Sequence, residues 1–368
     1  MSVTEDEKTS NTTKKPPIAA ICWIVAALVL LGLIAYHARR GAVSPRIRNP
    51  EVTGAPRPVD FLFGFTHWID LWQIFTIFTV PALIIACIIA WRRNPGSPIV
   101  MMAVVTTAIV WQDPYMNWSP YAVYNPQLWH WPEDWPWVSL SPTVEPFVVI
   151  GYVMFQFGPY FPSVWILRKL QARRPADAFV SRHPLICLAG LIFVIGFLFD
   201  MMLELTLVRT GLYIYSQVIP FGSIFVGSTF QFPLIWESVM VTFVMIPAGL
   251  LVYRDDTGKT VAEKLARRAR LFPNRPHLGT FIVMFVFVNV AYFCYGAGYT
   301  LIRMSGAATS VACPWPYPEA KIYDPQGYYE KNGKPGPYSV GIMSTFMSGQ
   351  PDGRPNVSLP AEGGRCAH

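Results

Sequence analysis

Seven long apolar runs constrain the fold of this chain more than any other feature. Each is long enough, or nearly so, to cross about 30 Å of hydrocarbon as a helix. They cover residues 18–36, 69–91, 98–112, 146–167, 184–205, 234–253 and 278–302. Only 14% of the residues are charged, whereas soluble domains carry about 25%. The sequence therefore predicts an all-α integral membrane protein with about seven transmembrane helices.

The remaining segments divide the chain into a membrane domain and two tails. Residues 1–17 are polar and are expected to form a disordered cytoplasmic tail. Residues 18–303 form the predicted polytopic membrane domain, and 304–368 form a loop-rich extracytoplasmic tail with many Gly, Pro and Ser. An uncharged stretch at 211–233 is predicted to be a re-entrant or cap segment, with a broken eighth helix as the alternative.

The distribution of basic residues predicts the orientation of the chain. A net charge of +7 would suit nucleic acid, but Lys and Arg cluster at the ends of the apolar runs, as orientation signals do. The N-terminal tail and the connections after the second, fourth and sixth runs hold three, two, five and seven of them. This predicts a multi-pass cell-membrane protein with a cytoplasmic N-terminus, an extracytoplasmic C-terminus and no nucleic-acid partner. The loop 37–67 disagrees, because it carries five Arg on the predicted outside.

The segment Trp111–Glu145 has no Lys or Arg and holds six of the 13 Trp. Its position between two apolar runs predicts an aromatic extracytoplasmic cap loop at 113–145. An interfacial aromatic belt is the alternative interpretation. A cap of this composition suits a site that handles an apolar molecule.

Histidine-ligated metal chemistry has little support in the sequence. None of the six His pairs with another at helical spacing, so a histidine-ligated di-iron centre is disfavoured, and no metal or cofactor is predicted. Four Cys lie within apolar runs and are expected to act as small hydrophobic residues. Cys313 and Cys366 bracket the C-terminal tail and are predicted to form a disulfide if that tail is extracytoplasmic.

Three carboxylates within the apolar runs are the strongest functional signal. At 1.5 Å per residue from the cytoplasmic end, Asp113, Asp200 and Glu237 lie at roughly 22, 24 and 25 Å. Ionisable groups inside spans are functional candidates by default. Three carboxylates in one layer cannot all be ionised, so we expect a general acid beside an ionised base. The three are predicted to be catalytic.

Other polar and aromatic residues surround this layer. Glu204 follows Asp200 by one helical turn, and Tyr292 rises toward the layer from Asn289. Asn117 and Tyr292 are expected to orient hydroxyl groups, and the loop aromatics to bind hydrocarbon. The residues expected to contact the substrate are Trp111, Asn117, Trp118, Tyr124, Gln156, Glu204, Asn289, Tyr292 and Tyr295.

Each of these residues also has a purely structural interpretation. Asp113 precedes a Pro and would suit a helix N-terminus. Asp200 and Glu204 would be solvated if they lay at the water boundary, and Glu237 would interact with a helix dipole. Gln156 and Asn289 would serve as hydrogen-bonding groups between helices.

The stretch Trp111-Gln112-Asp113-Pro114-Tyr115-Met116-Asn117-Trp118, followed by Tyr124-Asn125 and the Trp/Pro-rich loop, resembles the avermectin spirocyclase (AveC) family. The resemblance covers about residues 72–302. It implies a membrane-embedded enzyme that forms a spiroketal from a dihydroxy-ketone polyketide, in some members with a dehydration. The expected partners are an apolar small-molecule or lipid substrate and the membrane lipids. A proton-coupled transporter, or a binding subunit for an apolar molecule, is the alternative function.

Overall fold

The computed structural model describes Val25, residues 61–125, 128, 152–313 and 316 of the chain. The chain divides into two compact units, 1–42 and 43–368. Every helix and strand given below belongs to the second unit. The first predicted span apart from Val25, the loop 37–60 and most of the Trp-rich loop lie outside the described residues.

Nine helices are formed in the described part of the second unit. They are α1 (Trp68–Arg93), α2 (Pro98–Thr107), α3 (Asp113–Trp118), α4 (Tyr152–Ala172), α5 (Phe179–Arg182), α6 (Pro184–Arg209), α7 (Leu234–Val252), α8 (Val261–Arg268) and α9 (Pro276–Ser305). A 3-10 turn, Ala108–Gln112, joins α2 to α3. Helices α2, α6 and α9 each begin with Pro, whose missing N–H costs nothing in the first turn. Gly306 ends α9 in the left-handed conformation.

Four helices are long and apolar enough to cross a membrane: α1, α6, α7 and α9. Pro98–Gln112 is apolar but shorter, and α4 covers part of the fourth predicted run. The chain is therefore mostly helical with four candidate membrane spans, as a multi-pass membrane protein requires, while the count of seven spans stays a prediction. Helix α1 buries only Ile69, Gln73 and Thr76, so most of its apolar surface is available to lipid.

The interior of the bundle is formed mainly by α6 and α7, which pack along each other, with α4 and α9 against them. Glycines lie at two of the contacts between α6 and α7. A Cβ at Gly196 would lie 3.0 Å from Thr242, and a Cβ at Gly249 would lie 2.5 Å from Ile192. Glycine at these positions lets α6 and α7 approach closely, which is a common device in membrane bundles.

The stretch 211–233 contains two short strands and turns, and no helix, so the alternative of a broken eighth helix is wrong. Strand β2 (Tyr213–Tyr215) pairs antiparallel with β1 (Ala122–Tyr124). Strand β3 (Gln217–Val218) pairs antiparallel with β4 (Ser310–Val311). These pairings tie 211–233 to the chain after α3 and after α9. Its role as a cap stays a prediction.

Three of the basic connections meet at one end of the bundle. The Arg168 guanidinium donates to the Arg254 carbonyl oxygen at 2.8 Å and to Asp256 at 3.0 Å. The turn after α1 reaches the start of α9, where a Cβ at Gly96 would lie 2.2 Å from the His277 ring. The connections after α1, α4 and α7 therefore share one side, as the charge pattern requires. The assignment of that side to the cytoplasm stays a prediction.

Candidate functional site

Three carboxylates converge in the interior between α6 and α7. Asp200 and Glu204 lie one turn apart on α6, and Glu237 lies in the first turn of α7. Their exposed fractions are 0%, 1% and 4%. Asp200 is close enough to interact electrostatically with both glutamates. The proposed solvated position of Glu204 is therefore wrong, because the polypeptide after α6 folds back over it.

Tyrosine hydroxyls donate hydrogen bonds to both glutamates. Tyr213 and Tyr215 both donate to Glu204 Oε2, Tyr215 at 3.0 Å, and Tyr295 donates to Glu237 Oε1 at 2.6 Å. Alternate residues of a strand share one face, which is why Tyr213 and Tyr215 reach the same carboxylate. Burial, and then the neighbouring Glu204 carboxylate, raise the pKa of Tyr213 and Tyr215 well above its ordinary value. These tyrosines are therefore donors across the physiological range.

Three oxygens of the buried carboxylates accept no hydrogen bond from the described residues. They are Asp200 Oδ1, Asp200 Oδ2 and Glu237 Oε2. The Ser238 hydroxyl lies near Asp200, and the Tyr299 hydroxyl lies near Glu237. Buried carboxylate oxygens without donors are costly, so each of these atoms favours a proton or a water molecule, and Glu237 Oε2 is also available to a substrate hydroxyl because Glu237 lines a cavity.

Asp113 belongs to a second cluster of hydrogen bonds beside the first. Its Oδ1 accepts from Tyr152 at 2.7 Å and from Asn117 at 2.9 Å. Asp113 occupies the first turn of α3, and the N-cap residue Gln112 makes no side-chain cap. The Tyr152 ring meets the edge of the Tyr292 ring at a centroid distance of 5.4 Å. Asp113 is thus linked through Tyr152 to Tyr292, which interacts electrostatically with Asp200.

A narrow cavity lies between the two clusters, with an empty volume of about 390 Å³ including its mouth. One part of its wall is polar and carries Asn117, Tyr152, Glu204, Tyr213, Tyr215, Glu237, Tyr292 and Tyr295. The other part is apolar and consists of Met116, Pro120, Phe155 and Val241. Asp113 and Asp200 do not line the cavity. They lie behind its wall, against residues that do.

The other predicted contact residues have structural partners. Asn289 Oδ1 accepts from Trp111 Nε1 at 2.9 Å and from Gln112 Nε2 at 3.0 Å. The Gln156 amide donates to the Met245 carbonyl oxygen at 3.3 Å. These bonds join neighbouring helices, as the structural interpretation of Gln156 and Asn289 expects. Trp111 therefore lies outside the cavity wall, and 47% of its surface is exposed.

Two further predicted contacts lie near the strands. Tyr124 is fully buried in β1 and packs its ring against Tyr213 at 5.5 Å, so it supports the wall from behind. The side chain of Trp118 lies outside the described residues. Within the described part of the chain, no group of three or more His, Cys, Asp or Glu is arranged to hold a metal ion.

Cys313 is disulfide-bonded, whereas Cys87, Cys187 and Cys294 are free. The free thiols lie within helices, as expected for small hydrophobic residues. Cys366 lies outside the described residues, so its pairing with Cys313 stays a prediction.

The family model described as Spirocyclase AveC-like matches residues 91–323. The chain belongs to the AveC-like spirocyclase family. The matched region contains both hydrogen-bonded clusters and the whole cavity wall, and the resemblance found in the sequence is confirmed. No curated protein and no solved structure matches the chain.

Sequence reasoning missed Tyr152, Tyr213 and Tyr215 as parts of the site. The pair in β2 had a local signal: Tyr213-Ile214-Tyr215 alternates, and a strand would place both rings on one side. No local sequence signal identifies Tyr152, because its partner Asp113 is 39 residues away in the sequence.

Proposed function

We propose that this protein catalyses spiroketal formation, or a related dehydration, on an apolar hydroxy-ketone by acid–base chemistry. The observation that carries the proposal is the cavity wall, where Glu204 and Glu237 face the same space as five tyrosines and an apolar surface. A hydroxy-ketone chain with few polar atoms matches such a wall. Membership of the spirocyclase family supports the same class of reaction.

The reaction proceeds in two additions with one loss of water. One substrate hydroxyl adds to the ketone carbon, and the carbonyl oxygen becomes the hydroxyl of a hemiketal. An acid protonates that oxygen, the C–O bond breaks, and water leaves an oxocarbenium ion. The second hydroxyl attacks the cation and gives its proton to a base. The net change is one spiroketal and one water from one dihydroxy-ketone.

Glu237 is the proposed group for proton exchange with the substrate. Its Oε1 is held by Tyr295, and its Oε2 has no donor among the described residues. Glu204 is fixed by two tyrosines and lines the same cavity, so it is the proposed second carboxyl of the acid–base pair. Negative charge in this pair would stabilise the oxocarbenium ion.

Asp200 and Asp113 are the proposed supporting groups behind the wall. Asp200 interacts electrostatically with both glutamates and so holds a proton or a charge next to them. Asp113 fixes Asn117 and Tyr152, which line the cavity and would orient substrate hydroxyls.

Metabolite profiling of a deletion strain tests the proposal. We expect a hydroxy-ketone to accumulate whose mass exceeds that of the missing product by one water, and the intact gene to restore the product. Glu237→Gln and Glu204→Gln should fail to restore it, although each protein is present in the membrane. Asp177→Asn, a change at an exposed carboxylate in the connection after α4, is the matched control and should restore it.

Normal product with both glutamine variants would refute the assignment of the pair. A strain that makes the normal product but distributes it differently between cells and medium would instead favour the transport function.

A further inference from the structure

A basic pocket lies beyond the end of α7 opposite to Glu237, where α8 packs against the start of α9. It has an empty volume of about 1420 Å³ including its mouth. The basic side chains in its wall are Lys259, Lys264, Arg267 and Arg270, with His277 beside them. Ala266, Leu271, Phe272 and Pro273 supply an apolar part of the wall.

Three of these basic groups have no carboxylate partner among the described residues: Lys259, Arg267 and Arg270. The acidic residues nearby are already engaged. Glu263 accepts from the backbone N–H and the hydroxyl of Thr260 in a capping box at the start of α8. Asp255 pairs with Lys264. Glu263 also lines the pocket and keeps its negative charge, but the four basic side chains outnumber it, so the pocket presents a net positive charge.

Local structure holds the three basic groups toward one space. Lys259 lies in a tight turn in which Gly258 is left-handed and the Arg254 guanidinium donates to the Gly258 carbonyl oxygen at 2.7 Å. Arg270 and Phe272 are also left-handed, with φ of 52° and 47°, a conformation that non-glycine residues seldom adopt. Such positions cluster at functional sites.

The connection between α8 and α9, residues 269–275, also packs closely against α9. A Cβ at Gly279 would lie 2.4 Å from the Leu271 carbonyl oxygen. Glycine at this position therefore allows the loop to reach the helix. Leu271 in the pocket wall is therefore in direct contact with α9.

The pocket lies at the first turns of a helix that is long and apolar enough to span a membrane. Pro276, His277 and Thr280 form part of its wall, and they are in the first turns of a membrane-spanning helix. Phe272 is 48% exposed and lies between the basic groups and that helix in the chain. A ligand here would place a negative group among the basic side chains and apolar atoms along Phe272 and Leu271.

We propose that this pocket binds the phosphodiester headgroup of an anionic phospholipid. Guanidinium groups form paired hydrogen bonds with phosphate oxygens, and basic pockets at the cytoplasmic ends of spans suit such headgroups. The apolar wall accommodates the glycerol backbone and the first carbons of the acyl chains. A free phosphate would use only the basic side chains, so the apolar wall favours the lipid.

The test uses the full-length protein in a neutral detergent, with thermal unfolding followed as lipid is added. Phosphatidylglycerol should raise the unfolding midpoint, because a ligand that binds only the folded state stabilises it. Phosphatidylcholine and inorganic phosphate at the same concentrations should not. The Arg267→Gln/Arg270→Gln variant should need about 30-fold more phosphatidylglycerol for the same shift.

A matched control separates this pocket from general surface charge. Arg173→Gln/Arg174→Gln removes the same charge from an exposed pair in the connection after α4 and should keep the wild-type response. Arg267→Lys/Arg270→Lys should recover part of the response if the fold is intact. Equal loss in the pocket and control variants, or an equal shift with phosphatidylcholine or phosphate, would overturn the proposal.

Discussion

Asp200 and Glu204 offer a direct test of how hydrogen bonding decides the cost of a buried carboxylate. Both lie on the same face of α6 and are at most 1% exposed. Neither Asp200 oxygen accepts a hydrogen bond from a described residue, whereas Glu204 accepts two from tyrosines. We therefore expect apolar replacements of similar shape to change stability in opposite directions.

Leu has the same branching as Asp, so Asp200→Leu keeps the arrangement of heavy atoms, with methyl groups larger than the oxygens they replace, and removes the oxygens without partners. Burying such a polar group costs about 1–3 kcal/mol, and the variant should gain about that amount in the free energy of unfolding. Glu204→Met leaves the Tyr215 hydroxyl without its acceptor. It should lose about 1–3 kcal/mol.

Thermal unfolding of both variants and the wild type, in one detergent and at one pH, measures the difference. At roughly 2–4 °C per kcal/mol for domains of 150–250 residues, the two midpoints should move apart by several degrees, with the wild type between them. A lower unfolding midpoint for both variants would show that the Asp200 carboxylate accepts a stabilising hydrogen bond, and would refute this prediction. An increase for both would show that the tyrosine bonds contribute little.

Three further predictions concern the surroundings of the site. Because the pKa of Tyr213 and Tyr215 is raised in the folded state, their contribution to stability is complete below about pH 10 and is lost as pH rises further. Thermal midpoints should fall above that pH, and less steeply in Tyr215→Phe. Gly296→Ala should destabilise the protein by about 1–3 kcal/mol, since its Cβ would lie 2.4 Å from the Tyr115 ring; Gly190→Ala, with open space around it, should change the midpoint little. Peptide mapping without reductant should recover Cys313 linked to Cys366, and a Cys313 link to another residue would contradict that pairing.

The convergence of Asp200 and Glu237 could be predicted because depth in a straight helix follows from counting residues. The estimate placed them within a few ångströms of one level, and the structure brings them into electrostatic contact. Counting gives height but no direction around the bundle axis. Counting therefore places Asp113 in the same layer but does not show that Tyr152 and Asn117 donate hydrogen bonds to its Oδ1.

Glu204 was placed too near water for a related reason. The estimate treated the end of α6 as the end of buried structure. In the fold, 211–233 forms strands that return over α6, and the paired residues of β1 and β2 are 89–93 positions apart in the sequence. A pairing between such distant segments leaves no trace in the local hydropathy, so the cover over Glu204 could not be derived from the runs.

Asp200, one of the three buried carboxylates, stabilises the fold poorly. This favours a chemical reason for its position. Asp200 is fully buried, lies near two other carboxylates, and receives no hydrogen bond from the described residues. An apolar side chain of the same shape would pack there without that cost. Glu204 and Glu237, by contrast, are held by tyrosines with their carboxyl groups at a cavity wall. A buried carboxylate that costs the fold free energy, placed directly behind two carboxyl groups at a cavity wall, suits the proton transfer proposed for this site. On this argument Asp200→Leu should gain stability and lose product together, the trade-off expected where a site costs the fold free energy.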